Sequence, residues 1–152
     1  MFHLFLSHSD PAEGPFLEPA RRYHACAELQ IKSKTYIVVT GGSTHDDYLK
    51  DTKILDKSDL DTGFFEGEDL PVHLQNHRMI SAPDKKSVYV LGGIDKTNAE
   101  GAEESSKIYQ FTCGDDIGSC QWKESGVTLK YARDRMSVMA VPDSFVEEAC
   151  QP

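Results

Sequence analysis

Two short apolar runs of the same shape stand out along the chain. Tyr36-Ile37-Val38-Val39-Thr40 ends in Gly41-Gly42, and Val88-Tyr89-Val90-Leu91 ends in Gly92-Gly93. β-Branched and aromatic residues in runs of this length predict buried strands. A glycine pair at the end predicts a stop where the backbone takes positive φ or a neighbour comes close. The two pairs lie 51 residues apart. A period of that size points to stacked units, each covering the apolar face of the next.

Around each run the pattern predicts four strands. In the first unit they fall at 23–29, 35–42, 51–56 and 62–67, with a polar turn at 30–34 and a loop at 43–47. The order then repeats at 77–82, 87–93, 106–112 and 119–123, with a longer acidic loop at 95–104. A third unit opens at 135–141. There Arg135-Met136-Ser137-Val138-Met139-Ala140-Val141 matches Arg78-Met79-Ile80-Ser81-Ala82, each run leads into Pro-Asp, and the two arginines are 57 residues apart. No segment keeps a 3.6-residue apolar period long enough for a helix, so the expected class is all-β and antiparallel. The expected organisation is an irregular arm at 1–21, units at 22–71 and 72–131, and a first strand plus tail at 132–152.

Composition narrows the partners. The chain has 152 residues, the size of one domain, and a net charge of −9, which repels phosphate backbones and anionic membrane surfaces. Nucleic-acid partners and membrane insertion are therefore not expected. No apolar run approaches the ~20 residues of a membrane span. Residues 1–6 are apolar, but they lack a basic leader and are too short for a signal peptide. Of the four cysteines, Cys113 and Cys120 bracket a turn-rich insert, either as a disulfide across a hairpin or as two thiols at strand ends. A bridge there implies an oxidising compartment; otherwise the compartment is open. Cys26 and Cys150 are a second conceivable pair, and neither pair has zinc-site spacing.

Two local patterns touch on catalysis or metal binding. Asp61-Thr62-Gly63 resembles the Asp-Thr-Gly of aspartic proteases, which place two carboxylates together to share one proton. Here a polar stretch, Lys57-Ser58-Asp59, precedes Asp61 where a hydrophobic strand should lead in, and Phe64 follows where a small residue should fit, so a polar turn is expected instead. His73 and His77 are four apart, as two ligands on one helix face would be, but Pro71 and the strand pattern starting at His77 argue for a loop. No phosphate loop, nucleophile elbow or cofactor motif is present, and neither catalysis nor a cofactor is expected.

The second unit, with Val88-Tyr89-Val90-Leu91-Gly92-Gly93 followed by Tyr109 and Trp122, resembles the Kelch repeat, one blade of a β-propeller. The first unit resembles it less closely: Gly41 and Gly42 stand, while Leu55 takes the Tyr slot and Phe65 the Trp slot. The resemblance covers residues 22–142. It implies antiparallel four-stranded blades in an incomplete ring, completed by blades from a longer chain or from other copies. It also implies a non-catalytic module that binds a protein or peptide through its loops. The rim residues it singles out are His24, Arg78 and Arg135, read as matching positions of three units, with His45, Asp46, Asp47 and Tyr48 in the neighbouring loop. Arg would serve there as a planar multi-donor for an acidic or turn-forming peptide. An extracellular module that binds a glycan or matrix protein is the alternative, and an acid protease built on Asp61 a remote one.

Overall fold

A computed structural model describes residues 14–97 and 101–141, and the described residues form eleven strands in three antiparallel sheets. The first sheet takes its strands in chain order: β1 (Ala25–Ile31), β2 (Lys34–Thr40), β3 (Thr52–Asp56) and β4 (Phe65–Glu66). After β5 (Leu74–Gln75) come β6 (Arg78–Ser81), β7 (Ser87–Leu91), β8 (Ile94–Asp95), β9 (Glu103–Glu104), β10 (Ile108–Thr112) and β11 (Gln121–Glu124). Strands β6, β7, β10 and β11 make the second sheet, and β5, β8 and β9 a small third one. The all-β, antiparallel expectation holds.

Backbone pairing shows that the two large sheets are copies of one plan. Ala25 pairs with Thr40 and Thr40 with Thr52, while Arg78 pairs with Leu91 and Leu91 with Ile108. The small sheet has its own forerunner. Gln75, Ile94 and Glu104 pair in sequence, as Arg22, Ser43 and Tyr48 do through single bridges in the first unit. Both hairpin turns bend at a lysine of positive φ, Lys32 at 54° and Lys85 at 57°.

Several boundaries differ from expectation. β1 begins at Ala25 because Tyr23 is left-handed, with φ 60°, and it runs on to Ile31 because the turn needs only Lys32 and Ser33. The acidic loop holds β8 and β9, which charge alone conceals because a two-residue strand on a rim buries no apolar face. The expected strand at 135–141 does not form: the described segment has no ladder partner beside it, and a strand exists only by pairing. Its register also differs. The left-handed residues Tyr23, Asn76 and Arg135, with φ of 60°, 56° and 49°, are the true counterparts, so Arg135 answers to Asn76 and not to Arg78.

The two large sheets pack face to face. Leu29, Tyr36, Val38 and Ile54 of the first meet Met79, Val88, Val90, Tyr109, Phe111 and Trp122 of the second, sealed below by Leu70, Val72 and Leu74 of the connection. Each such fully buried side chain contributes about 1.5–3 kcal/mol by leaving water. Trp122 also spans the junction: its Nε1–H donates to Thr52 Oγ1 at 3.0 Å and to the Glu68 carbonyl at 3.1 Å, and its ring lies 4.7 Å from Phe111. The register corrects the slot assignment in the first unit. Tyr109 answers to Lys53 and Trp122 to Phe64, while Leu55 answers to Phe111 and Phe65 pairs with Ile54. The physical reason is that Tyr109 and Trp122 face the first sheet, whereas Lys53 and Phe64 face away from the second and have no facing sheet to fill.

The glycine pairs lie where one unit meets the next. Gly42 N–H donates to the Leu74 carbonyl at 2.8 Å, and Gly93 N–H donates to the Arg133 carbonyl at 2.9 Å. The left-handed residues stack in the same way, Asn76 N–H on the Tyr23 carbonyl and Arg135 N–H on the Asn76 carbonyl, both at 3.0 Å. Gly41 has φ 60°, and a Cβ there would strike the Leu74 carbonyl and the His77 ring. Gly41→Ala should cost roughly 3 kcal/mol or more, from strain at positive φ plus backbone collision, read as a lowered denaturant midpoint. Gly126→Ala, with open space around it, should change stability by less than about 0.5 kcal/mol.

His77 sits against this seam, fully buried, with neither ring nitrogen hydrogen-bonded. Burial is the main cause that lowers its pKa from 6.5 to about 4; the Thr40 backbone offsets part of this, and Arg78 and His24 add to it. The unfolded chain therefore binds the extra proton first. The neutral-imidazole contribution is whole above pH 6.5 and is lost as pH falls toward 4, roughly 3 kcal/mol in all. Urea melts at pH 7 and pH 4.5 should show this loss, and His77→Phe should remove most of it.

Candidate protein-binding rim

Where β2 ends, Gly41 and Gly42 turn the chain onto one end of the sheets, and Ser43 bridges to Arg22 on one side and Tyr48 on the other. Residues 44–47 close on themselves. Thr44 Oγ1 accepts the N–H groups of Asp46 and Asp47, each at 3.2 Å, and Thr44 N–H donates to the Asp47 carbonyl at 2.9 Å. Such a turn holds its shape without a ligand, because short polar side chains here satisfy the backbone groups that no ladder reaches.

Lys96, just past β8, comes over this turn from the second unit. Its Nζ lies 3.4 Å from Asp47 Oδ1 and 5.2 Å from the centre of the Tyr48 ring. The Asp47 carboxyl is held below its ordinary pKa, first by the Tyr48 N–H and then by Lys96. Across the groove the Arg22 guanidinium stands 5.3 Å from the centre of the Tyr23 ring, which its left-handed backbone leaves 51% exposed. Arg22, Tyr23, His45, Tyr48, Gln75 and Lys96 line a groove of about 200 Å³. A second hollow of about 200 Å³ adjoins it through Arg22, Ser43, Thr44 and His45. Beside the second hollow, the Arg21 side chain is buried and forked onto Asp51 at 2.6 and 2.7 Å, with a further bond to the Gly41 carbonyl at 3.2 Å. A bidentate pair of this kind fixes geometry as well as charge.

The expected rim residues fall in two groups. His45, Asp46, Asp47 and Tyr48 all line the groove. His24, Arg78 and Arg135 do not hold matching places: by backbone register His24 answers to His77, and Arg78 to Ala25. They lie near one another all the same. Each sits on or within two residues of the stacked left-handed residues, and His24 and Arg78 both act on His77. Burial, then Arg21, lowers the His24 pKa. Arg22, Tyr23, Gln75 and Lys96 were not legible as site residues, because Tyr23 reads as the start of a strand and Lys96 as part of a charged loop. The one available signal was the bulky Tyr23 in the place where the second unit has Asn76.

Asp61 lies on the exposed turn before β4, where Asp59 accepts both the N–H and the hydroxyl of Thr62. Among the described residues no group of three or more His, Cys, Asp or Glu side chains is placed to hold a metal ion. Cys26 is exposed on β1, while Cys150 lies outside the described residues. No helix among the described residues is long and apolar enough to cross a membrane. Comparison with protein-family models and with curated proteins finds no match.

Cys113 and Cys120 form a disulfide across the insert between β10 and β11, at the end of the strands opposite the groove. The sulfurs close a short loop, seven residues apart in sequence. Closure of a loop that short removes little unfolded-state entropy, worth roughly 2–3 kcal/mol. Reduction and alkylation should lower stability by about that amount, measured by denaturant titration, and should leave the groove chemistry unchanged.

Proposed function

We propose that this chain is a non-catalytic, Kelch-like propeller module that binds a protein or peptide through the loops at one end of its sheets. What supports the architecture is the duplicated four-stranded plan, with each glycine pair bonded to the unit that follows. The observation that carries the function is the groove between the units, framed by two exposed cations and two aromatic rings. Two tyrosines and an arginine supply rigid contact area and directed donors, the residue types that dominate binding energy at interfaces. Arg22 and Lys96, with Arg78 and Arg135 nearby, favour an acidic segment in an extended or turn conformation. Of the two carboxylates that line the groove, Asp46 and Asp47, the second is already engaged by Lys96.

The disulfide favours a second reading, an extracellular module whose ligand is a glycan or a matrix protein. The two readings differ in ligand chemistry. Panning a displayed peptide library against the 152-residue chain should select acidic peptides. Their affinity should fall at least tenfold in Arg22→Ala/Lys96→Ala and weaken with salt, while Lys123→Ala on β11 should have no effect. Selection of peptides indifferent to the groove substitutions, or of none while a glycan array gives groove-dependent binding, would overturn the peptide reading.

A further inference from the structure

The two hollows at the rim share Arg22, Ser43, Thr44 and His45 but differ in charge. The groove between the units has Asp46 and Asp47 in its wall. The adjoining hollow of about 200 Å³ is completed by Ala20 and Arg21, and no carboxylate lines it. An anionic group that enters here meets two acidic side chains in the groove and none in the hollow, and at these short distances that difference decides where it rests.

The polar groups of this hollow divide into engaged and unengaged ones. Every N–H of the Arg21 guanidinium is taken: Nε by the Pro19 carbonyl, and the two terminal nitrogens by the Glu18 and Gly41 carbonyls and both Asp51 oxygens. Arg21 is therefore a positioning residue, with its charge matched by Asp51. The Thr44 hydroxyl is held within the turn by the N–H groups of Asp46 and Asp47. Ser43 differs. It is 4% exposed, and its N–H and carbonyl are exchanged with Arg22 at 2.8 and 3.0 Å, while its hydroxyl has no partner among the described residues. A hydroxyl so nearly buried ordinarily has a partner, and this one belongs to a residue that lines both hollows. Beside it, Arg22 enters no ion pair among the described residues. Its stacking on Tyr23 uses a face of the guanidinium and leaves the in-plane N–H donors open. His45 adds an exposed imidazole from the turn.

We propose that this hollow is a subsite for a phosphate or sulfate ester carried on a hydroxyl side chain of the peptide partner, with Arg22, Ser43 and His45 donating to the ester oxygens. The unengaged donors come from three residues, and an ester of this kind offers three terminal oxygens spread tetrahedrally, where a carboxylate offers two in one plane. Charge-assisted bonds from a planar guanidinium to such oxygens are among the strongest available at a protein surface. The proposal rests on the peptide-binding reading for the chain that carries the ester. It places the partner's strongest charge in the hollow and leaves the groove, with Tyr23, Tyr48 and Gln75, to the flanking peptide. Binding at this rim is then conditional on modification of the partner.

The test needs no peptide. The 152-residue chain is titrated with the N-acetyl amides of O-phosphotyrosine and O-sulfotyrosine, followed by backbone amide NMR shifts. Saturable shifts are expected at Arg22, Ser43 and His45. At least one ester should bind about fivefold or more tighter than N-acetylglutamate amide and than inorganic phosphate or sulfate, and the tighter ester identifies the oxyanion. Arg22→Ala should weaken that ester about tenfold and Ser43→Ala about threefold, while Arg22→Lys should recover only part of the loss, because an ammonium lacks the planar fork. Ser43→Ala should leave the melting temperature unchanged, since the hydroxyl bonds to nothing else among the described residues. No saturable binding, inorganic ions or glutamate bound as tightly as the esters, or shifts indifferent to both Arg22→Ala and Ser43→Ala would overturn the proposal. A sulfated disaccharide bound more tightly than either tyrosine ester would assign the hollow to a glycan and also overturn it. Ester binding by a chain that selects no peptide from the library would support the subsite and count against a peptide as its carrier.

Discussion

The structure depends on a backbone-to-backbone approach at each glycine pair. Gly42 and Gly93 donate to carbonyls of the segment that begins the next unit, and a Cβ added at Gly41 would strike the Leu74 carbonyl, one added at Gly92 the Arg133 carbonyl. No side chain fits between the partners, so the spacing of the units is set by peptide groups alone. Everything hydrophobic then follows from that spacing. Once the first sheet is held at this distance from the second, Val38 and Ile54 meet Val88, Val90 and Phe111 across one junction, and Trp122 reaches Thr52. A short ion-paired link crosses the same junction at the surface, where Lys57 and then Lys85 hold Glu28 at a pKa of about 2.

Among the described residues each large sheet meets the other through one face, and the residue content of the two sheets differs accordingly. The covered face of the second sheet holds Tyr109, Phe111 and Trp122. Burial, ahead of Glu124 and Asp95, pushes the Tyr109 hydroxyl up to about 12. On the first sheet the corresponding face holds Lys53, tied to Asp51 and Glu66, and an exposed Cys26. The same backbone plan thus carries large aromatic residues where a facing sheet exists, while the corresponding face of the first sheet combines Lys53 and Cys26 with the buried Val39 and Leu55. The groove arises from the junction too, since Tyr23 and Tyr48 come from the first unit while Gln75 and Lys96 come from the second.

Much of the fold was legible in the chain, because alternation and the glycine pairs are local signals. The positions of β2, β3, β7 and β10 follow from β-branched runs that have no other good conformation. Three features were not legible, each for a physical reason. β5, β8 and β9 are two residues long and bury little, so they leave no periodic trace. The repeat register at Arg135 is masked, because Arg135-Met136 imitates Arg78-Met79, whereas the left-handed backbone that defines the position accepts Tyr23, Asn76 and Arg135 alike. The aromatic slots of the first unit leave no mark in the sequence, because there the matching positions, Lys53 and Phe64, have no facing sheet among the described residues to fill. The loop 45–48, which lines the groove, follows the glycine pair directly and so is legible as a loop. Arg22, Tyr23 and Lys96 required the fold.

The most direct test of the stacked-unit account is an NMR measurement of scalar couplings across backbone hydrogen bonds. The account predicts couplings from the Asn76 amide to the Tyr23 carbonyl, from the Gly42 amide to the Leu74 carbonyl, and from the Arg135 amide to the Asn76 carbonyl, with slow exchange at all three amides. Fast exchange and no coupling at Gly42 and Asn76, in a chain whose strands are otherwise folded, would contradict it.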